Sequence, residues 1–180
     1  MKKLISIVMA VILPLAMLSG CSSPRLSKSE YKKQVINLVD KYLCAFMTED
    51  AMEEIMDLSD ELDSFDRGIL ADMKEIVEDE FKNADKYLDQ IAELNPPEEM
   101  EDFHEDLLEF VEKARDTEEK FLAPFDAKNE EKYWSASEKA TSALKSLMKK
   151  LDKLIDDEEW LGDGLEDGDC IDSPFFVGMS

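Results

Sequence analysis

Histidine occurs once in this 180-residue chain, at position 104. One histidine is too few for any site built on a pair. A two-cysteine, two-histidine zinc site is excluded, and so is a full di-iron centre in a helical bundle, which draws a histidine from each of two helices. Glycine and proline are scarce, six of each, which argues against a turn-rich all-β fold. The chain has no glycine-rich phosphate-cradling loop and no Cys-x-x-Cys-His haem segment. Basic residues are outnumbered, 21 against 44 acidic ones, giving a formal charge of -23. Phosphate backbones are held by clustered lysine and arginine, so nucleic acid is excluded as a partner. A cationic partner or divalent ions are electrostatically welcome, and the plainer reading is that the charge keeps the protein soluble and monomeric.

What the chain has in abundance is Glu, Lys, Leu, Ala and Met, all good helix formers. Serines at 27 and 29 offer a cap, and Tyr31, Val35, Leu38, Val39, Tyr42 and Phe46 follow at helical spacing. The stripe thins at Thr48-Glu49-Asp50 and resumes with Met52, Ile55, Met56, Leu58 and Leu62. This predicts one long helix to about Leu62, with a bend admitted near Thr48. From Glu49 to Asp66 there are nine acidic residues and no basic one, so most of this helix faces solvent. Ser64-Phe65-Asp66 with Gly68 reads as a turn. A second helix then carries Ile69, Leu70, Met73, Ile76, Val77, Phe81, Ala84, Leu88, Ile91 and Leu94.

Asn95-Pro96-Pro97 stops that helix. The residue before a proline is pushed out of the α region, and proline has no amide to continue the ladder. Pro97 suits the first turn of a third helix, with Glu98 and Glu99 at its positive end. Met100, Phe103, Leu107, Val111, Ala114, Phe121 and Leu122 form its stripe. After Pro124 and a turn over 126–129, a fourth helix shows Tyr133, Ser137, Ala140, Leu144, Leu147, Leu151 and Leu154. The third segment has twelve acids and three bases between Glu98 and Asp126, whereas Lys128 to Lys153 holds seven lysines and four acids. Such opposite biases predict that these two helices lie side by side. Four long amphipathic helices with short loops predict an all-α, up-down four-helix bundle over residues 30–157. Residues 158–180 carry no base and no helical period, and are expected to form an acidic flexible tail tipped by Pro174-Phe175-Phe176-Val177.

The start of the chain has a different character. Met1-Lys2-Lys3 precedes an apolar run from Leu4 to Leu18, 15 residues interrupted by Pro14, and then Leu18-Ser19-Gly20-Cys21. That run is shorter than the roughly 20 residues needed to span a bilayer. A basic n-region, an apolar h-region and small residues before a cut are the parts of a secretory signal. The segment resembles the signal peptide of bacterial lipoproteins, with Leu-Ser-Gly-Cys as the lipobox. The resemblance implies removal of residues 1–20 and a lipid such as palmitate on Cys21. It also implies a polar tether over 21–29 and attachment to the extracytoplasmic face of the cell membrane. Loss of Lys2 and Lys3 would take the formal charge from -23 to -25. Arg25, Lys28, Lys32 and Lys33 would then lie beside the lipid, where basic residues are worth about 1 kcal/mol each against an anionic leaflet.

A second resemblance lies at Leu94-Asn95-Pro96-Pro97-Glu98-Glu99-Met100-Glu101-Asp102-Phe103-His104. It is similar to a segment of small helical bacterial lipoproteins of unknown function, over about residues 84–114. It implies no activity, only a helix start at Pro97 and a neighbour-facing His104. Glu101 and His104 also make Glu-x-x-His, half of a bundle metal motif, and are candidate ligand contacts. No metal and no cofactor is expected, because the other half is missing.

Asp163-Gly164-Leu165-Glu166-Asp167-Gly168-Asp169 invites a calcium reading, but neither register fits an EF-hand loop. Counting from Asp163, the third and twelfth positions are Leu165 and Pro174. Cys44 sits among Tyr42, Leu43, Ala45 and Phe46, where burial as a small hydrophobe is expected. Two thiols in an exported protein could also form one disulfide, Cys44 with Cys170, but nothing in the spacing requires it.

No arrangement of nucleophile and base emerges, so the protein is expected to act by binding rather than catalysis. An interaction module for an envelope protein should expose an apolar patch. A binder of metal or a small ligand should show inward polar groups around His104, Glu101 or the interhelical tyrosines. A spacer should show neither, and a neutraliser of cationic partners should bind with steep salt dependence.

Overall fold

A computed structural model describes residues 24–46, 48–60 and 65–166. Six helices run through them: α1 (Lys28–Phe46), α2 (Glu49–Asp60), α3 (Arg67–Ala92), α4 (Glu101–Leu122), α5 (Glu130–Asp157) and α6 (Glu159–Glu166). A 3₁₀ turn, Glu98–Met100, leads into α4. There is no strand among the described residues, and the all-helical expectation holds.

The expected long first helix is two helices. Thr48 stops one and starts the other. Its carbonyl accepts from the Met52 amide at 3.0 Å, and its Oγ1 accepts from the Ala51 amide at 3.3 Å. Its own amide donates to Glu80 Oε2 on α3 at 3.1 Å. A threonine cap with a tertiary partner thus outcompetes the continuing apolar stripe.

Other boundaries fall where the capping residues put them. Asp66 Oδ1 accepts from the Gly68 amide at 2.6 Å and opens α3. Asn129 Oδ1 accepts from the Lys132 amide at 3.0 Å and opens α5. Helix α3 ends before Asn95-Pro96-Pro97, and the Met100 amide donates to the Pro97 carbonyl at 2.9 Å to start the next turn.

Helix α1 packs on α3, α3 on α4 and α4 on α5, while α2 lies on α3. Cross-contacts fix the directions. The Leu26 amide before α1 donates to the Asn95 carbonyl after α3 at 3.1 Å, so these two helices are antiparallel. Lys74 near the start of α3 meets Asp126 beyond the end of α4, and Arg115 meets Asp85 and Asp89 farther along α3. Lys150, late in α5, donates to Asp106 at 2.7 Å and Glu109 at 2.8 Å, early in α4. Helices α4 and α5 are therefore neighbours, as their opposite charge biases predict. The core shared by α1, α3, α4 and α5 holds Tyr42, Phe46, Phe81, Phe110 and Phe121 in edge and tilted ring contacts, with Leu144, Leu147, Leu151 and Leu154 along α5.

The expected tail does not begin at 158. Residues 159–166 form α6, which packs on both α1 and α5. Leu161 and Leu165 are fully buried, and Trp160 meets Phe103 edge-on with ring centroids 5.3 Å apart. Eight residues with two glycines have little helical tendency of their own. Burial of two leucines one turn apart supplies what local propensity lacks. The remainder of the expected tail, with Cys170 and the Pro174-Phe175-Phe176-Val177 tip, lies outside the described residues, as do the signal segment and Cys21.

Candidate functional site

Among the described residues, two pairs of inward-facing polar groups bridge α1 and α4. The first is Tyr31 with His104. Tyr31 is the first residue of the α1 stripe and His104 lies in the first turn of α4. The hydroxyl stands 3.0 Å from His104 Nδ1, and the rings meet edge-on with centroids 5.9 Å apart. Phe103 packs on Tyr31 from the same helix turn, and Trp160 of α6 packs on Phe103. Burial disfavours both charged forms, pushing the phenol up and holding the imidazole below its ordinary value. His104 therefore faces a neighbouring helix, as its sequence context implies.

Glu101 does not join it. Although only three residues away, its side chain is exposed and pairs with Arg25 in the segment ahead of α1. The two candidate ligand contacts thus diverge, His104 into the core and Glu101 to the surface. Among the described residues, no group of three or more His, Cys, Asp or Glu side chains could hold a metal ion.

The second pair is Tyr42 with Glu118, toward the other end of both helices. Tyr42 is fully buried and Glu118 is 8% exposed. The hydroxyl of Tyr42 and Oε1 of Glu118 are both shut off from solvent, and neither closes a hydrogen bond of standard geometry. The groups nevertheless act on one another. Burial raises the Tyr42 phenol far above its ordinary range, and the Glu118 charge adds to the effect. Burial, reinforced by the Asp85 carboxylate on α3, raises the Glu118 carboxyl to about 7, against the smaller opposing pull of Tyr42 and Arg115. Arg115 is itself held by Asp85 at 3.0 Å and by Asp89.

Glu118 is the polar residue that sequence reasoning passed over. It sits four residues after Ala114 and three before Phe121, within the α4 stripe. Its register was the available signal, but one acid among twelve in that segment does not stand out. The neighbouring Thr117 is buried too, with its hydroxyl satisfied by the Lys113 carbonyl at 2.8 Å.

Cys44 departs from the expected burial as a free thiol. It is half-buried and engaged in a disulfide whose partner lies outside the described residues.

The outer surface is polar. The large apolar side chains exposed on the described residues are Met56 on α2, at 62%, and Trp134 on α5, at 59%. Open hollows mark the helix seams. One of about 420 Å³ lies beside Pro24 and Leu26, walled by Gln34, Asn37, Gln90 and Asn95. Another, of about 440 Å³ between α2 and α3, is walled by Glu54, Asp72, Glu75 and Asp79. No helix of the described residues is long and apolar enough to cross a membrane. Compared with known proteins, the chain matches no family model, no curated protein and no solved structure.

Proposed function

We propose that this protein is a lipid-anchored, extracytoplasmic, non-catalytic four-helix up-down bundle that binds a protein or cell-envelope component through its acidic outer surface. The antiparallel neighbours α1/α3, α3/α4 and α4/α5 support the up-down arrangement. The lipobox-like Leu18-Ser19-Gly20-Cys21 supports the anchor. Two residues, Ser22 and Ser23, separate Cys21 from α1's leading segment at Pro24, so the domain would sit close to the membrane.

One observation carries the binding reading. The two candidate ligand contacts are occupied within the chain, His104 by Tyr31 and Glu101 by Arg25. The carboxylates of α2 and α3 are instead presented outward around an open hollow. A predominantly acidic surface with few exposed apolar side chains favours a cationic partner, recognised through long-range attraction. Arg25 and Lys32 are engaged by Glu101 and by the Trp160 ring, while Lys28 and Lys33 are exposed and, with a lipid on Cys21, would be available to an anionic leaflet.

The test has two arms. Cells expressing the full chain are fed an alkyne-tagged fatty acid. Label should enter the wild type and be lost in Cys21→Ala, with the variant leaving the membrane fraction. Crosslinking in the intact envelope at low and high salt should then give an adduct that fades as salt rises. It should also fade when Glu54, Asp72, Glu75 and Asp79 are changed together to Asn or Gln. A label that survives Cys21→Ala refutes the anchor, and an adduct indifferent to salt and to the four changes refutes the acidic surface.

A further inference from the structure

Glu118 is short of hydrogen-bond donors. A buried carboxylate is tolerated when several N–H or O–H groups converge on it. Here Oε1 has no partner, and the facing Tyr42 hydroxyl has none of standard geometry. The nearby cation, Arg115, is already divided between Asp85 and Asp89. The groups bearing on Glu118 are Tyr42 from α1, Asp85 from α3 and Arg115 from its own helix. Among the described residues, no titratable side chain of α5 adds to them. Oε1 is shut off from water and faces the Tyr42 phenol without a closed bond, and the Asp85 charge opposes a second negative charge.

We infer that Glu118 is a proton-operated joint between α1 and α4, closed when the carboxyl is neutral and loosened when it ionises. In the neutral form the carboxyl O–H can donate to the Tyr42 oxygen, and no charge faces Asp85. Ionisation releases that proton to solvent and leaves an anion whose buried Oε1 has no donor. The strain falls on the seam where Tyr42 packs against Phe110, ring centroids 6.0 Å apart, and beside Phe46. The group's raised titration range agrees with this geometry and places the change near neutrality. A protein outside the cytoplasm would thereby report ambient pH in how firmly α1 is held.

The sign follows from linkage. The folded state keeps the Glu118 proton over a pH range in which the unfolded chain has lost it. Stability from this group is therefore fully present below about 4.5 and declines as pH rises to about 7. Denaturant unfolding of the full chain, wild type against Glu118→Gln, should be followed from pH 4.5 to 8.5. The ratio of their unfolding constants should rise in the wild type's disfavour, by on the order of a hundredfold, and level off above neutrality. Amide exchange over residues 38–46 should lose protection above pH 7 in the wild type and keep it in Glu118→Gln. Should that variant fail to fold, carbon NMR of the wild-type carboxyl decides directly. Parallel stability profiles, α1 protection indifferent to pH, or a Glu118 titration in the ordinary carboxylate range would each overturn the inference.

Discussion

Gly164 of α6 lies so close to Ile36 of α1 that a Cβ built on it would stand 2.7 Å from Ile36 Cγ1 and 3.0 Å from Cγ2. Real side chains do not approach that closely, so the glycine is what lets α6 seat between α1 and α5. Gly164→Ala should cost about 1–3 kcal/mol, the usual range for overpacking. Ile36→Ala should recover most of it in the double variant. Thermal unfolding of the four chains of this cycle checks the coupling. An additive result would mean that the glycine matters for its backbone rather than for the contact.

Leu161 tests whether α6 belongs to the folded body. It is fully buried, one turn before the equally buried Leu165. Leu161→Ala should destabilise the whole protein by about 2–5 kcal/mol. A neighbouring exposed change such as Asp163→Asn should cost less than about 0.5 kcal/mol. If residues 159–166 were a tail, both changes would be silent in denaturant unfolding.

Most of the helical layout was legible because periodicity and breakers agreed. The Leu144, Leu147, Leu151 and Leu154 column, the Asp66 cap and the Asn95-Pro96-Pro97 stop each point one way. Thr48 was harder to read because the apolar stripe resumes after it, and the deciding bond comes from Glu80, 32 residues later. Helix α6 was illegible for a related reason. Its glycines and acids argue locally for a loop, and only the place vacant between α1 and α5 makes Leu161 and Leu165 decisive. In the candidate site, His104 was singled out by its rarity and Glu118 was hidden by its commonness. Sequence registers the kind of a residue more readily than the donors it will lack once buried.

Lys150 carries the seam between α4 and α5. Its side chain is 12% exposed, and burial alone would lower its pKa, but the bonds from Asp106 and Glu109 outweigh that and raise it. Asp106 is held below its ordinary value by the same bond. Lys150→Met keeps the aliphatic stem in place and should cost about 1 kcal/mol, because both acids are substantially exposed and screened. Asp106 should titrate at higher pH in the variant, as carbon NMR of the carboxyl would show. Wild-type stability from Asp106 is present above its unfolded value and is lost as pH falls through its lowered folded one.

His104 and Tyr31 give a prediction of the opposite slope to that of Glu118. Burial disfavours the imidazolium, so the unfolded chain takes up this proton first as pH falls. The contribution of the neutral ring is fully present above about 6.5 and is lost as pH drops below that value through the lower folded one. His104→Asn keeps an acceptor near the position of Nδ1 and cannot titrate. Unfolding free energies of wild type and His104→Asn should run parallel above pH 7 and converge, or cross, between pH 6.5 and 5. Tyr31→Phe keeps the ring contacts with Phe103 and His104 but removes the hydroxyl from Nδ1. It should cost about 1–3 kcal/mol at pH 8, the price of leaving a buried polar atom unpaired. If the gap between wild type and His104→Asn widened toward acid pH instead, the imidazolium would be the stabilised form. The carboxylates of the α4 N-terminus, Glu101 first among them, would then reach His104 more strongly than its burial opposes them.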